Sequence, residues 1–299
     1  MSKLGFAFAV IAAALFGIGG TFAQFLFTQR GVSMDWLVTM RLLVSGALLL
    51  AFVVARDGSK VLAVWRDWPS LILFGLFGML GVQYTYMAAI EASNTATATV
   101  LQYTAPAMVA LWLTTRRRKL PDARELAAIA LALAGTFFLV THGDIGKLNI
   151  SLAALWWGIA SAVTAAFNAI QPGALLKRHG AALTTAWGML IGGVALSVRH
   201  PPWMVEGVWD AKAIIFVAFI LLFGTLLAFY LSLKALQMIG AQKSSLLTCA
   251  EPLSAAVLAV WWLGVSFGTM DWLGTVLILA TIVLLSREQT RQTQSEHVT

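Results

Sequence analysis

Long apolar runs separated by short polar connections make up most of the chain. A helix that crosses a bilayer needs about 20 mainly apolar residues, and ten runs near that length occur in the 299 residues. They lie at about 4–28, 35–55, 69–90, 94–114, 122–141, 152–172, 182–199, 211–236, 241–262 and 269–286. The pattern therefore predicts an all-α polytopic membrane protein with ten transmembrane helices.

The first run also has the features of a secretory signal, with Lys3 before an apolar core and a cleavage-like Thr21-Phe22-Ala23. The apolar run continues beyond that point, however, and Phe16-Gly17-Ile18 is echoed in mid-chain by Trp157-Gly158-Ile159. No signal peptide stands in mid-chain. We therefore interpret the first run as a helix that is retained.

The chain contains two related halves. The pattern Phe77-Gly78-x-Leu80-x-x-x-Tyr84 returns 146 residues later as Phe223-Gly224-x-Leu226-x-x-x-Tyr230, and the same offset relates Pro106 to Pro252. Since each half has an odd number of spans, the two copies must face opposite ways across the membrane. We predict two inverted five-helix repeats, residues 1–146 and 147–286, followed by a cytoplasmic tail at 287–299.

Composition and charge agree with this interpretation. Charged residues make up 11% of the chain and hydrophobic residues 60%, with a mean hydropathy of +0.84, whereas soluble domains carry about 25% charged residues. Thirteen Lys and Arg residues fall on the side that both ends share, and only Arg30, Lys147, Arg199 and Lys212 on the other. The excess predicts that both termini are cytoplasmic. The net charge of +7 does not indicate nucleic acid, because no stretch is polar enough to form a nucleic-acid-binding domain.

The residues that usually carry enzymatic chemistry are sparse. The four histidines lie in predicted loops or the tail, without metal-ligand spacing on one helix, and Cys249 is the single cysteine. The predicted loops are too short to build a catalytic domain. We therefore expect no enzymatic activity, no cofactor and no metal site.

Polar residues at membrane depth are the remaining candidates. On the fourth span, Thr95, Thr99, Gln102 and Pro106 follow spacings of four, three and four, which places them on one helical face. This face either lines a cavity or hydrogen-bonds to neighbouring helices. Pro106 and Pro252 are each expected to kink their helices.

Glu251 stands beside Pro252 within an apolar run. A carboxylate at the centre of a span costs roughly 2.5 to 3.5 kcal/mol on insertion scales. Either Glu251 handles substrate or protons, or it is structural, as a carboxylate satisfied by a neighbour such as Arg41 or as a protonated acid. In the first half the corresponding residue is Ala105, so the carboxylate is an addition of the second half.

These residues resemble the EamA-type family of the drug/metabolite transporter superfamily. The resemblance is carried by the hairpins Tyr84 to Trp112 and Tyr230 to Ala259, by Glu251-Pro252-Leu253 and by Arg41-Leu42-Leu43-Val44-Ser45-Gly46. Within that family the Trp- and Tyr-rich chain looks most like the bacterial YddG-type exporters of aromatic amino acids and methionine. It departs from the family before the last helix, where Phe267-Gly268-Thr269-Met270-Asp271 replaces a frequent Glu.

The resemblance implies a transporter that exports small amphipathic amino acids by alternating access at a midplane cavity. A broader drug or metabolite exporter, or a membrane scaffold or lipid-handling protein, is the alternative. The expected partners are the amino-acid substrate and the lipid bilayer of a bacterial inner membrane, and the expected functional unit is a monomer. The predicted substrate-binding residues are Gln24, Tyr84, Gln102, Tyr103, Trp157, Asn168, Tyr230 and Glu251. For Trp157 the alternative role is an interface anchor.

Overall fold

Every regular element in the described part of the chain is helical. The computed structural model describes residues 2–57, 61–92, 95–117, 122–147, 151–254, 257 and 268–296. The helices are α1 (Ser2–Arg30), α2 (Met34–Asp57), α3 (Trp68–Leu73), α4 (Gly81–Glu91), α5 (Thr95–Gln102), α6 (Ala105–Arg117), α7 (Ala123–Thr141), α8 (Leu152–Ile170), α9 (Gly173–Ser197), α10 (Ala211–Leu221), α11 (Ala228–Ile239), α12 (Ala241–Thr248) and α13 (Thr269–Glu296). The prediction of an all-helical fold is confirmed.

Six helical segments are long and apolar enough to cross a membrane. They are Lys3–Arg30, Met34–Arg56, Ala63–Ile90, Leu152–Ile170, Gly173–Ser197 and Ala211–Ile239. The other four predicted spans are helical over their described residues, and two of them are interrupted. That all ten cross, and that both ends are cytoplasmic, stays a prediction.

The third predicted span of each half contains a π-helical segment. In the first half Phe74–Leu80 joins α3 to α4, and in the second half Leu222–Leu227 joins α10 to α11. These segments contain Gly78 and Gly224, which the repeat offset relates to each other. Since π-helical turns are rare and often mark functional positions, their recurrence supports a common origin of the halves.

The fourth predicted span of each half is interrupted at equivalent points. In the first half α5 ends at Gln102 and α6 begins at Ala105. In the second half α12 ends at Thr248, and residues 251–254 are helical again. Proline cannot donate to the carbonyl four residues before it and its ring clashes with that carbonyl, so Pro106 and Pro252 end the preceding helices at Gln102 and Thr248. The predicted kinks are therefore breaks placed just before the prolines.

Each half packs its helices on helices of the other half, in pairs that the repeat relates to each other. Helix α1 packs on α11 of the other half, and α8 packs on α4. The second helix of each half, α2 and α9, pack on each other, as do α7 and α13. Small residues permit this closeness: a methyl group on Gly19 would lie 3.2 Å from the Gly224 Cα. This exchange is the packing expected of an inverted repeat.

Glycine corners join the first two helices of each half. Gly31 follows α1 with a φ of 61°, and Gly180 has a φ of 78°. Gly180 lies within α9 and separates two helical segments, of which the second begins at residue 181, next to the predicted start at 182. The first segment of α9, residues 173–179, precedes this corner and lies in the stretch that the sequence pattern assigned to a connection.

The outer surface is rich in large apolar side chains. Trp156, Val194 and Trp272 are 67%, 58% and 60% exposed. Extended apolar exposure of this kind is typical of a surface that contacts lipid. Trp261 and Trp262, which the sequence places at the end of the ninth predicted span where tryptophan is typically an interface anchor, lie outside the described residues.

Candidate transport cavity

A cavity of about 170 Å³ lies between the two halves, which is roughly ten times the space that one water molecule needs. It is bordered by equivalent elements of both repeats: α1 and α8, α4 and α11, and the interrupted fourth spans. Arg41 of α2 completes the wall. The lining residues are Phe16, Gly20, Arg41, Val82, Gln83, Tyr86, Met87, Gln102, Tyr103, Ala105, Pro106, Ala165, Asn168, Ala169, Phe229, Ser232, Leu233, Leu236, Ser244, Ser245, Thr248 and Glu251.

A hydrogen bond between two side chains links the interrupted spans across the cavity. The Tyr103 hydroxyl donates to Glu251 Oε2 at 2.8 Å. Tyr103 lies in the turn between α5 and α6, and Glu251 begins the helical turn that follows α12. The breaks in the helices therefore bring a phenol of one half and a carboxylate of the other into contact.

Arg41 reaches the π-helical segment of the second half. Its Nε donates to Thr225 Oγ1 at 2.8 Å, and its Nη2 donates to the Gly224 carbonyl at 3.5 Å. Ser45, one turn along α2, donates to the Leu221 carbonyl at 2.7 Å. The polar face of α2 thus satisfies carbonyl and hydroxyl groups where the regular helical pattern of α10 ends.

Asn168 makes the corresponding contact in the first half. Its Nδ2 donates to the Gly78 carbonyl at 3.0 Å. Since Gly78 and Gly224 are equivalent in the repeat, both π-helical segments are held by a cavity-lining side chain from the opposite half. The positions of these segments are therefore coupled to the cavity wall.

Two further polar contacts order the wall formed by α4 and α5. The Gln102 Nε2 donates to Ser161 Oγ at 2.8 Å, and the hydroxyls of Tyr86 and Thr99 lie 2.8 Å apart. Gln83 leaves its Oε1 without a partner in the described part of the chain. The polar face predicted on the fourth span thus has both anticipated roles, because Gln102 lines the cavity and also bridges two helices. The side chain of Thr95 lies outside the described residues.

The structure brings together half of the predicted binding residues. Gln102, Tyr103, Asn168 and Glu251 line the cavity, as does Pro106 of the predicted kinks. The other kink residue, Pro252, is buried beside Glu251 but does not line the cavity.

The remaining four predicted residues lie elsewhere. Tyr84 and Trp157 pack edge to face with ring centroids 6.3 Å apart, and 39% of Trp157 is exposed on the outer surface. Tyr230 packs against the largest apolar cluster. Gln24 is exposed on α1. These residues lie outside the cavity because a helix has several faces, and periodicity alone does not show which face meets the other half.

The repeat offset identifies two cavity residues that the polar pattern of the fourth span alone does not predict. The repeat offset carries Thr99 and Gln102 onto Ser245 and Thr248, and all of these except Thr99 line the cavity. Transferring the polar face of the fourth span to the ninth would have identified them. Arg41 had a weaker signal, since it is a lone cation within an apolar run.

Comparison with known sequences gives a family assignment. The sequence model of the EamA-like transporter family matches the chain twice, over residues 3–141 and 152–287. The uncharacterized inner membrane transporter YicL of Salmonella typhimurium is 40% identical over 96% of this chain and 96% of its own length. The uncharacterized transporter YwfM of Bacillus subtilis is 25% identical over 97% of this chain and 96% of its own length.

Comparison with solved structures agrees on the fold. One crystal structure aligns over 98% of this chain and 99% of its own chain with a TM-score of 0.80, at 17% identity. At this identity the likeness concerns the fold alone. Family membership follows from the double match of the family model and from the relative at 40% identity. This chain is a multi-pass membrane protein that belongs to the EamA-like transporter family of the drug/metabolite transporter superfamily.

Proposed function

We propose that this protein exports small amphipathic amino acids, such as aromatic amino acids and methionine, by alternating access at the central cavity. The observation that carries the proposal is the composition of the cavity wall. Aromatic and aliphatic side chains stand beside one cation, one anion and three amides among the described lining residues, all between the two halves.

The apolar part of the wall suits a hydrophobic side chain. Phe16, Val82, Met87, Phe229 and Leu233 face the cavity. Burial of apolar surface contributes roughly 25 cal/mol per Å², so a large aromatic or thioether side chain gains most from such a wall. A small polar cargo would leave these side chains without a partner.

The architecture supports movement of one half against the other. The cavity lies at the interface of the inverted halves, where alternating access places its substrate. The interrupted fourth spans border it, and the π-helical segments are hydrogen-bonded to its lining residues Arg41 and Asn168. Such irregular positions absorb backbone changes more readily than regular helix does. A monomer with both termini in the cytoplasm of a bacterial inner membrane completes the proposal.

Transport by the purified protein in liposomes tests this function. We expect uptake of labelled tryptophan above that of protein-free vesicles, together with competition by unlabelled methionine and phenylalanine. Glycine and glutamate, which lack an amphipathic side chain, should compete poorly. Uptake no higher than in protein-free vesicles would contradict the proposal. Uptake of unrelated drugs without competition by tryptophan would indicate a broader exporter instead.

A further inference from the structure

The cavity has two oppositely charged side chains that do not meet. Arg41 belongs to the first half and Glu251 to the second, and both line the same space. Within the described part of the chain they form no ion pair with each other or with any other residue. Removing an ion from water is unfavourable, and a close partner of opposite charge is the usual compensation. An unpaired cation and anion in one cavity therefore need another explanation.

Arg41 is held by neutral groups on one side only. Its Nε and Nη2 donate to Thr225 Oγ1 and the Gly224 carbonyl. Its second terminal nitrogen, Nη1, makes no hydrogen bond to any described residue. These contacts fix the guanidinium against the π-helical segment Leu222–Leu227 and leave donors available toward the cavity.

Glu251 is held in the same one-sided way. Its Oε2 accepts from the Tyr103 hydroxyl at 2.8 Å, while Oε1 has no hydrogen-bond donor among the described residues. The Thr248 and Ser245 side chains, three and six residues before it, also line the cavity. The carboxylate is therefore anchored by a neutral donor and keeps acceptor capacity for a ligand.

We infer that Arg41 and Glu251 are the two poles of a zwitterion site, in which Arg41 binds the α-carboxylate and Glu251 the α-ammonium of the cargo. A guanidinium presents a planar fork that matches a carboxylate, and an ammonium group supplies donors to a carboxylate oxygen. A zwitterion pairs with both charged side chains at once, whereas a singly charged analogue leaves one of them without a partner. This assignment rests on the proposed transport of amphipathic amino acids. It adds that Arg41 and Glu251 select cargo that carries both a carboxylate and an ammonium group.

Three ligands with the same indole ring separate the two poles. Tryptophan is a zwitterion, tryptamine has only the ammonium group, and indole-3-propionate has only the carboxylate. We expect the purified wild-type protein to bind tryptophan at least about tenfold more tightly than either analogue, which corresponds to about 1.4 kcal/mol. Binding is measured by titration calorimetry in detergent.

Charge-neutral variants then assign each pole. Arg41→Gln should lose the preference for tryptophan over tryptamine, and Glu251→Gln should lose the preference for tryptophan over indole-3-propionate. Arg56→Gln on the same helix and Glu206→Gln in a loop are matched controls, because both residues are exposed outside the cavity and should leave all three affinities unchanged. If Arg41→Gln does not fold, Arg41→Lys is the substitute, because it keeps the charge without the planar fork. It should weaken the binding of tryptophan more than the binding of tryptamine.

The outcomes distinguish this assignment from the proposed function. If tryptophan is transported but wild-type protein binds the three ligands alike, or if both variants weaken all three equally, the zwitterion assignment is overturned and the transport proposal stands. If wild-type protein neither binds nor transports tryptophan, both are overturned.

Discussion

Tyr103 and Glu251 connect the interrupted helices of the two halves through a 2.8 Å hydrogen bond from the phenol to the carboxylate. Tyr103 corresponds to Cys249 in the other repeat and Glu251 to Ala105, so the bond has no counterpart related by the repeat. The two walls of the cavity thus share a backbone plan and differ in their polar groups. The phenol therefore belongs to the wall of the first half and the carboxylate to the wall of the second, although the backbone framework of the cavity is symmetric.

Removal of the Tyr103 hydroxyl should impair transport more than folding. Tyr103→Phe keeps the ring and deletes the donor to Glu251, so we expect tryptophan exchange in liposomes to fall about tenfold, as for a loss of about 1.4 kcal/mol. The free energy of unfolding should fall by about 1 kcal/mol, the usual net value of one hydrogen bond. Thr115→Val, which deletes an exposed hydroxyl on α6, is the control. Unchanged exchange in Tyr103→Phe would show that the bond has no part in transport.

Asn168 should stabilise the π-helical segment of the first half. Asn168→Leu has a similar size but cannot donate to the Gly78 carbonyl, which we expect to lower the free energy of unfolding by about 1 to 3 kcal/mol because a buried acceptor loses its partner. Unfolding of the detergent-solubilised protein, followed by circular dichroism, measures the change. Equal stability of variant and wild type would mean that this carbonyl is satisfied in another way.

The packing of α8 on α5 should not tolerate a side chain at Gly158. A methyl group there would overlap the side chain of Leu101, so Gly158→Ala should lower the free energy of unfolding by about 1 to 3 kcal/mol. Gly173→Ala is the matched control, since no atom lies within 4 Å of its added methyl group.

A double variant tests the cause of that loss. Leu101→Ala should recover part of the stability of Gly158→Ala, because it removes the overlapping atoms. Additive losses in the double variant would contradict direct overlap, since residues in contact are expected to show an interaction energy.

The Arg30–Asp210 pair should contribute a pH-dependent part of stability. Arg30 Nη2 lies 2.8 Å from Asp210 Oδ2, and the hydrogen bond from Arg30 together with the one from the Ala213 amide lowers the pKa of Asp210. A carboxyl whose pKa is lowered by folding stabilises the protein above its unfolded pKa, about 3.9 for Asp, and loses this contribution as the pH falls through the folded pKa. We therefore expect the contribution to be complete at neutral pH and to vanish only in acid.

Asp210→Asn is the appropriate variant for this measurement. Asparagine retains the helix N-cap, which Asp210 provides by accepting from the Ala213 amide at 2.8 Å, but it lacks the charge. Melting temperatures of wild type and variant should differ at pH 7 and converge below about pH 4. A difference that is independent of pH would show that the charge of Asp210 does not contribute.

The sequence predicted the helical class, the duplication and the positions of both helix breaks to within a few residues. These features depend on local properties, because apolar length, glycine and proline act on their own segment of chain. The repeat also held information on the cavity, since Thr99 and Gln102 have equivalents in Ser245 and Thr248.

The composition of the cavity wall could be predicted only in part. Tyr84 and Trp157 were expected in the cavity, yet they pack on each other away from it, whereas Arg41 was expected at most to pair with Glu251 and instead reaches Gly224 and Thr225. Each of these contacts joins residues more than 70 positions apart. Helical periodicity determines which residues share a face, but only the packing of the two halves decides which faces meet.

The most direct test of the account is to fill the cavity. Ala169 lines it, while Val163 lies on the same helix and is 51% exposed on the outer surface. Tryptophan counterflow in liposomes is measured for Ala169→Trp and for Val163→Trp, with each variant first shown to be folded and monodisperse. We predict that Ala169→Trp abolishes counterflow and that Val163→Trp retains the wild-type rate. Wild-type counterflow by a folded Ala169→Trp variant would contradict the claim that the substrate passes through this cavity.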